Sequence, residues 1–350
     1  MTDISKFGKG AIKRNPDFRD ILFRDYIAGA GTVNWDEPYD IRSVIGTLPI
    51  NNQNGSSSCV GQSCSKLAEI AEAFESKNQT RLSARDVYSR IYAPEGGAFG
   101  YKGLSIIVNR GVATEVRVSS YNQGNPPDEA FMRIRDDSNE ATQEALVRKA
   151  KAYAHISQNI DEMAYAIKNQ NGIVFGVIGT NQGWAFGKYI PEPPKSGEEV
   201  WYHFIVGIGY KKIGDKKYIL IQNSWGKEWG NQGTALISED YILGGWTFNA
   251  MTLIDLPNLP EKIFMKRVVK VDGSSDQWIV ESGRRILIPD LETLAWYRDV
   301  LKIIPDASPE VIQQSEFDSL MESEAVSMGV MRAVRNAYPY FKDAMEKNQG

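Results

Sequence analysis

The chain has 350 residues, 42% hydrophobic and 24% charged, which leaves enough apolar material for a full core and a length that suits two domains. Its net charge is −4 with no long basic run, so nothing in its electrostatics supports nucleic-acid binding. Two cysteines cannot build a disulfide framework, no run approaches the ~18–20 apolar residues of a membrane span, and Met1 to Lys6 lacks the apolar stretch of a secretory signal. A cytoplasmic location is therefore expected, and a virus-borne or virion-associated protein would carry the same signs.

Residues 1–35 mix acidic and basic side chains, as in Arg14-Asn15-Pro16-Asp17-Phe18-Arg19-Asp20. They read as an N-terminal arm that wraps the next domain, in preference to an inhibitory plug. From Cys59 to about Glu75, Leu67, Ile70, Ala71 and Phe74 fall at helical spacing. Ser83 is an N-cap signal for a helix to Ile91, and Leu104–Val108 is a further helical segment ended by Gly111. Asp128 to about Ile156 reads as helix broken near Asp136-Asp137-Ser138, followed by a short helix over Ile160–Lys168. The character then changes. Residues 172–178, 203–210, 217–222 and 233–237 read as strands. Pro257-Asn258-Leu259-Pro260 is the best linker. Beyond it, 277–280 and 284–288 flank a Glu281-Ser282-Gly283 turn as a hairpin. Helices are expected after Asp290 and from Ser323 to about Lys347.

The chemistry-bearing residues are few. Cys59 follows Gln53 by six positions, His203 begins an apolar run 144 residues later, and Asn223 lies 164 residues after Cys59. A neutral thiol is a weak nucleophile and needs an imidazole to take its proton. The imidazole needs a fixed orientation, which an amide oxygen can supply. The tetrahedral oxyanion needs donors, and a glutamine amide with a backbone N–H provides them. Cys64 is a competing thiol, but it lies too far from Gln53 and well inside the helix, where no terminal dipole lowers its pKa. It reads as a small buried hydrophobe, and His155 as a structural histidine. With two histidines and two cysteines at no short spacing, no metal site is expected.

The segments Asn52-Gln53 to Cys59, Tyr202-His203 to Tyr210, and Tyr218 to Gly233 with its Asn223-Ser224-Trp225-Gly226 resemble the papain-like cysteine peptidases. The resemblance runs over about residues 36–256. It implies an α+β, papain-like two-lobed fold: a helical lobe, a β-barrel-like lobe and a cleft between Cys59 and His203. Residues 257–350 would be a small α+β accessory domain that could meet a macromolecular partner. The resemblance implies Cys59 as nucleophile, His203 as base and then acid, Asn223 as orienter and Gln53 as oxyanion donor, with a polypeptide substrate and no cofactor. By the same likeness Gly97 bonds the substrate backbone, Ala98 and Phe99 line a side-chain pocket, Tyr202 narrows the cleft, and Trp225 shields the His–Asn hydrogen bond. The sequence departs from the family at Ser56, where a disulfide cysteine is usual, and at Val60, where an aromatic is usual. Two other readings stand beside the peptidase: an amidase of peptidoglycan cross-links, and a catalytically silent protein that keeps the fold for binding.

Overall fold

A computed structural model of the chain describes residues 4–15, 20–25, 32–122, 125, 127–254, 267–281, 284–288 and 310–312. The chain divides into two units, Met1–Asp255 and Leu256–Gly350. In the first unit the arm holds strand β1 (Ala11–Ile12), followed by β2 (Tyr39–Asp40) and α1 (Arg42–Ile45). The helical half contains α2 (Cys59–Ser76), α3 (Ala84–Tyr88), the short β3 (Ala98–Phe99), α4 (Gly100–Asn109), α5 (Glu129–Met132) and α6 (Asn139–Leu146). Then come β4 (Ala152–His155), α7 (Ile160–Asn169), β5 (Ile173–Gly179), β6 (Trp201–Ile213), β7 (Lys216–Gln222), β8 (Thr234–Ser238), α8 (Glu239–Leu243) and β9 (Thr247–Ile254). The second unit contributes β10 (Arg267–Val271), β11 (Gln277–Glu281), β12 (Arg284–Ile288) and β13 (Glu310–Ile312).

The β half is one antiparallel sheet in the order β4-β9-β5-β6-β7-β8, with β2 added to β6. Among the described residues it stays open at β4 and β8 and is not a closed barrel. The expected helix over 128–156 holds only in part, because Ala152–His155 is a strand paired to Met251–Ile254 of β9. Ala152, Ala154 and His155 are buried there, so an alanine-rich run joins the sheet where a neighbouring strand satisfies its backbone. Strand β9 and helix α8 were not read from the sequence. In the second unit β11 and β12 pair antiparallel around the expected turn. The expected linker and the two expected C-terminal helices lie outside the described residues.

Helix α2 is the spine of the helical half. Its first three turns are almost wholly buried, and they pack on β6 and α3. An ion pair lies inside this packing: Lys66 donates to Glu69, and their side chains are 2% and 4% exposed. The other Glu69 carboxylate oxygen accepts from the Leu82 N–H at 2.9 Å, so the helix is tied to the chain entering α3. Burial lowers the Lys66 pKa, and the Glu69 charge opposes that shift. Removing one partner of such a pair strands the other charge without water. Glu69→Ala is therefore expected to cost about 3–5 kcal/mol of unfolding free energy. Lys66→Met/Glu69→Gln, which removes both charges together and keeps an acceptor for the Leu82 N–H, should cost clearly less. Urea denaturation of the two variants checks the order.

Candidate active site

Cys59 is the first residue of α2. The preceding Ser58 makes no side-chain cap bond; its hydroxyl instead accepts from Gln62 Nε2 at 3.2 Å and meets Ser56 Oγ at 2.7 Å. The first-turn amides of a long helix are thus left without a side-chain cap beside the thiol, an arrangement that favours negative charge there. The backbones of Gly10 and Phe204 act on the Cys59 thiol and favour its charged form. Cys64 lies in the same helix, its thiol 3.8 Å from the Gly100 carbonyl, and burial raises its pKa.

His203 stands opposite on β6, fully buried. Its Nε2 is 2.7 Å from Asn223 Oδ1. The same oxygen accepts from the Ser224 N–H at 2.7 Å, which fixes it as the acceptor and Nε2 as the protonated nitrogen. His203 Nδ1 has no hydrogen-bond partner among the described residues, so it is the nitrogen available to take a proton. The Trp225 ring lies over the imidazole, with centroids 4.6 Å apart, and keeps water from the His203–Asn223 bond.

Gln53 is held by three contacts. Its Oε1 accepts from Ser224 Oγ at 2.6 Å. Its Nε2 donates to the Ser56 carbonyl at 2.9 Å and to the Gly8 carbonyl at 2.8 Å. The first two fix the amide within the loop; the third aims it at the arm. Ser224 was missed as an orienting residue, although it stands in the Asn223-Ser224-Trp225-Gly226 motif. Its place directly after Asn223 is the signal that could have found it.

The arm therefore lies in the cleft, where the sequence reading expected only a wrap. Gly8 N–H donates to Asn54 O at 2.8 Å, and its carbonyl meets Gln53. Phe7 stacks on Trp225 with centroids 5.5 Å apart. Beyond Gly10, β1 pairs in parallel with β3, Ala11 opposite Ala98. A β-carbon at Gly8 would come within 1.9 Å of the Ser56 carbonyl oxygen, so only glycine fits this close.

The expected substrate-contact residues sort differently. Gly97 does not offer its own backbone: its N–H goes to Tyr88 Oη at 3.1 Å and its carbonyl to the Ala93 N–H at 2.8 Å. The group that bonds the arm is the Ala98 N–H, which donates to Gly10 O at 2.7 Å. Gly97 contributes space instead, because a β-carbon there would sit 2.3 Å from Gly10 O. Phe99 is half-buried against Tyr101. Tyr202 faces the opposite side of β6 from His203, its ring edge-on to Phe248 at 5.7 Å. His155 pairs with Asp20 at 3.3 Å and accepts no role beside Cys59. Among the described residues no cluster of metal-binding side chains occurs, and no helix is long and apolar enough to cross a membrane.

The electrostatics follow from burial under the arm. The Cys59 thiol is pushed up to about 11 by desolvation, against the pull of four backbone hydrogen bonds. His203 is pushed down to about 3, first by desolvation; Asn223 opposes the shift and Lys9 adds to it. Burial under the arm thus disfavours the charged form of each group, thiolate and imidazolium alike. The linkage has a definite sign. An opened state with an ordinary imidazole binds one more proton than the covered state between about pH 6.5 and 3, so the covered state loses stability as pH falls through that window. The raised thiol pKa acts at the other end, where stability is lost from about pH 9 upward. The melting temperature is expected to be highest between these limits. Its acid limb should be shallower in His203→Gln, by up to about 1.4 kcal/mol per pH unit for one proton. Parallel acid limbs in the two proteins would remove His203 from this role.

Comparison with known proteins gives the family and the fold. A model of the papain family of cysteine proteases matches residues 35–247. A cathepsin L-like proteinase of Phaedon cochleariae is 24% identical over 229 residues, covering 64% of this chain and 66% of that protein, so the match spans just under two thirds of that relative. Xylellain, a cysteine protease from Xylella fastidiosa, superposes with a TM-score of 0.56 at 19% identity, over 72% of this chain and 97% of that one. Digestive procathepsin L 3 of Tenebrio molitor larval midgut gives 0.53 at 18% identity, over 72% and 76%. At these identities the two structures speak for the fold.

Proposed function

Because this chain belongs to the papain family of cysteine proteases, we propose that it is a peptidase held latent by its own arm. It cuts peptide bonds through a thioester on Cys59. The observation that carries this reading is the Gly8 carbonyl on the Gln53 amide, 2.8 Å away, in a cleft walled by Cys59 and His203. A substrate carbonyl in that place would find the same donor. His203 Nδ1 takes the thiol proton, and the sulfur attacks the carbonyl carbon. The oxyanion is held by Gln53 Nε2 and the Cys59 N–H. As the intermediate collapses, His203 returns the proton to the leaving amine. A water then attacks the thioester with His203 again as base, and the acid product leaves with the thiol restored. Asn223 keeps the imidazole in the tautomer this sequence needs, beneath Trp225. The sheet of β10 to β13 pairs only with itself among the described residues, which supports reading residues 257–350 as a separate accessory domain.

Latency has a direct test. Gly8→Ala puts a methyl group against the Ser56 carbonyl and should expel the arm without touching Cys59, His203 or Asn223. The variant is expected to alkylate Cys59 with iodoacetamide at least tenfold faster at pH 7, since each unit by which the thiol pKa falls gives about tenfold more thiolate. It should hydrolyse peptides, and Cys59→Ala in the same background should not. An alkylation rate unchanged by Gly8→Ala would sink the latent reading.

The oxyanion role makes a separate claim. In the Gly8→Ala background, Gln53→Ala should lower kcat by roughly 10–1000-fold, since one donor is worth up to about 4 kcal/mol in the transition state. KM should change far less. A pure KM effect would assign Gln53 to ground-state binding instead.

A further inference from the structure

Beside the catalytic histidine the cleft opens into a cavity of about 440 Å³. Glu198, Glu199, Trp201, Thr180 and Asn181 line it, together with Lys9 of the arm. The Lys9 ammonium sits over two indole rings, 5.7 Å from the Trp201 centroid and 5.8 Å from that of Trp225. It also donates to the Ile4 carbonyl at 2.9 Å. Trp201 meets the edge of His203 at 6.2 Å and of Trp225 at 5.6 Å, so these walls are continuous with the catalytic site. Among the described residues the Glu198 side chain accepts a backbone N–H, that of Lys195 at 2.7 Å, a contact that leaves its charge uncompensated.

Two independent features converge on one kind of ligand. Indole faces attract a cation through the ring quadrupole. Two carboxylates on the rim raise the local concentration of positive charge. The chain itself places an ammonium there, on the residue next to the carbonyl that occupies the Gln53 donor. The side of the scissile bond follows from the chemistry. The amine that leaves must receive its proton from His203, so the part of a substrate nearest Trp201 is the leaving-group part.

We infer that the cleft carries a subsite for a lysine or arginine side chain on the leaving-group side of the scissile bond, walled by Trp201 and Trp225 and rimmed by Glu198 and Glu199, with Lys9 as its internal occupant. This rests on the peptidase reading above and adds the substrate class to it. The favoured substrates are basic polypeptides cut just before a cationic residue, within one or two positions. A neutral side chain of equal length gains the apolar contact but not the charge. A carboxylate is repelled by the rim.

The test uses the full chain with Gly8→Ala, and quenched fluorescent peptides that differ only in the first two residues after the scissile bond. Lysine and arginine peptides are expected to show kcat/KM about tenfold above the norleucine peptide, as about 1.4 kcal/mol of cation recognition would give. Glutamate should fall below norleucine. The gap between lysine and norleucine should close in Glu198→Gln/Glu199→Gln. Equal rates for lysine and norleucine, or a gap that survives the double substitution, would overturn the subsite. If no peptide is cut, the peptidase reading fails, and binding decides the subsite by itself. A labelled peptide of residues 4–12 is titrated into the full chain carrying Gly8→Ala and Cys59→Ala. Binding at least threefold tighter than that of the same peptide with Lys9→Met supports the subsite, and equal binding refutes it.

Discussion

Water is kept from Cys59 and His203, and most of what the site can do depends on that. A thiol and an imidazole in contact share one proton, and which of them holds it is set by the surroundings. An ordinary thiol near 9 and an ordinary imidazole near 6.5 stay neutral together, but with solvent and the first-turn amides of α2 both acting on the thiolate the charge-separated pair can be favoured. Under the arm it is not, because two charges would have to be held in a dry site. On the latent reading, the arm does more than block access. Burial beneath it disfavours the transfer of the thiol proton to the imidazole, and Lys9 adds a positive charge that discourages a second one on His203. Release of the arm would restore solvent and remove the Lys9 charge in the same step.

The aromatic wall is how the dry site is built. Trp184, Trp201, Trp225 and Trp229 touch one another with centroids between 5.5 and 5.9 Å apart, and Phe7 and His203 close the two faces of Trp225. Trp229 is anchored by its indole N–H to the Trp184 carbonyl at 3.0 Å, and Trp184 by its own to Tyr241 Oη at 3.0 Å. Such anchoring matters because a ring that covers a hydrogen bond must itself be fixed. The same rings that exclude water present faces to a cation. Shielding of the His203–Asn223 bond and recognition of a basic side chain are therefore two uses of one surface.

The sequence was most informative where a physical demand selects a residue type at a fixed distance. Cys59 at a helix start, His203 on a strand and Asn223 at the end of the next strand were legible, because the thiol, the imidazole and the amide each have one chemical purpose. The strands over residues 203–210 and 217–222 were legible from their apolar runs. Three features were not. The strand at Ala152–His155 carries alanine, a helix former, and becomes strand only through pairing with β9, a tertiary effect that local propensity does not contain. The place of the arm was hidden because, beside the ring of Phe7 and the ammonium of Lys9, the contacts that fix its path are backbone contacts. Gly8, Gly10 and Ala98 offer an N–H or a carbonyl, and their side chains say only that nothing larger fits. The exchange of Gly97 for Ala98 as hydrogen-bond donor has the same origin. It is decided by the Tyr88 hydroxyl, which takes the Gly97 N–H and is itself held by Glu129 at 2.8 Å.

Ser56 stands where the family resemblance leads us to expect a disulfide cysteine, and it holds the loop before Cys59 by hydrogen bonds instead. Its hydroxyl donates to the Gln53 carbonyl at 2.7 Å and meets Ser58 Oγ at 2.7 Å. Ser58 in turn accepts from Gln62, Gln62 accepts from Asn51 at 3.0 Å, and Asn51 accepts from Arg81 at 2.9 Å. The backbone closes the circuit: Gln53 N–H donates to Ser224 O at 2.8 Å and Gly226 N–H to Asn51 O at 3.0 Å. The loop before Cys59 is thus fastened to the helix that begins at Cys59 and to the strand end that carries Asn223. Each bond is worth only about 1 kcal/mol, but the network is buried, so breaking one member exposes the others to unpaired burial. A disulfide would fix one pair of positions and depend on an oxidising compartment. This polar network fixes the Gln53 amide, the Cys59 amide and the Asn223 segment relative to one another, and it does so in either redox state.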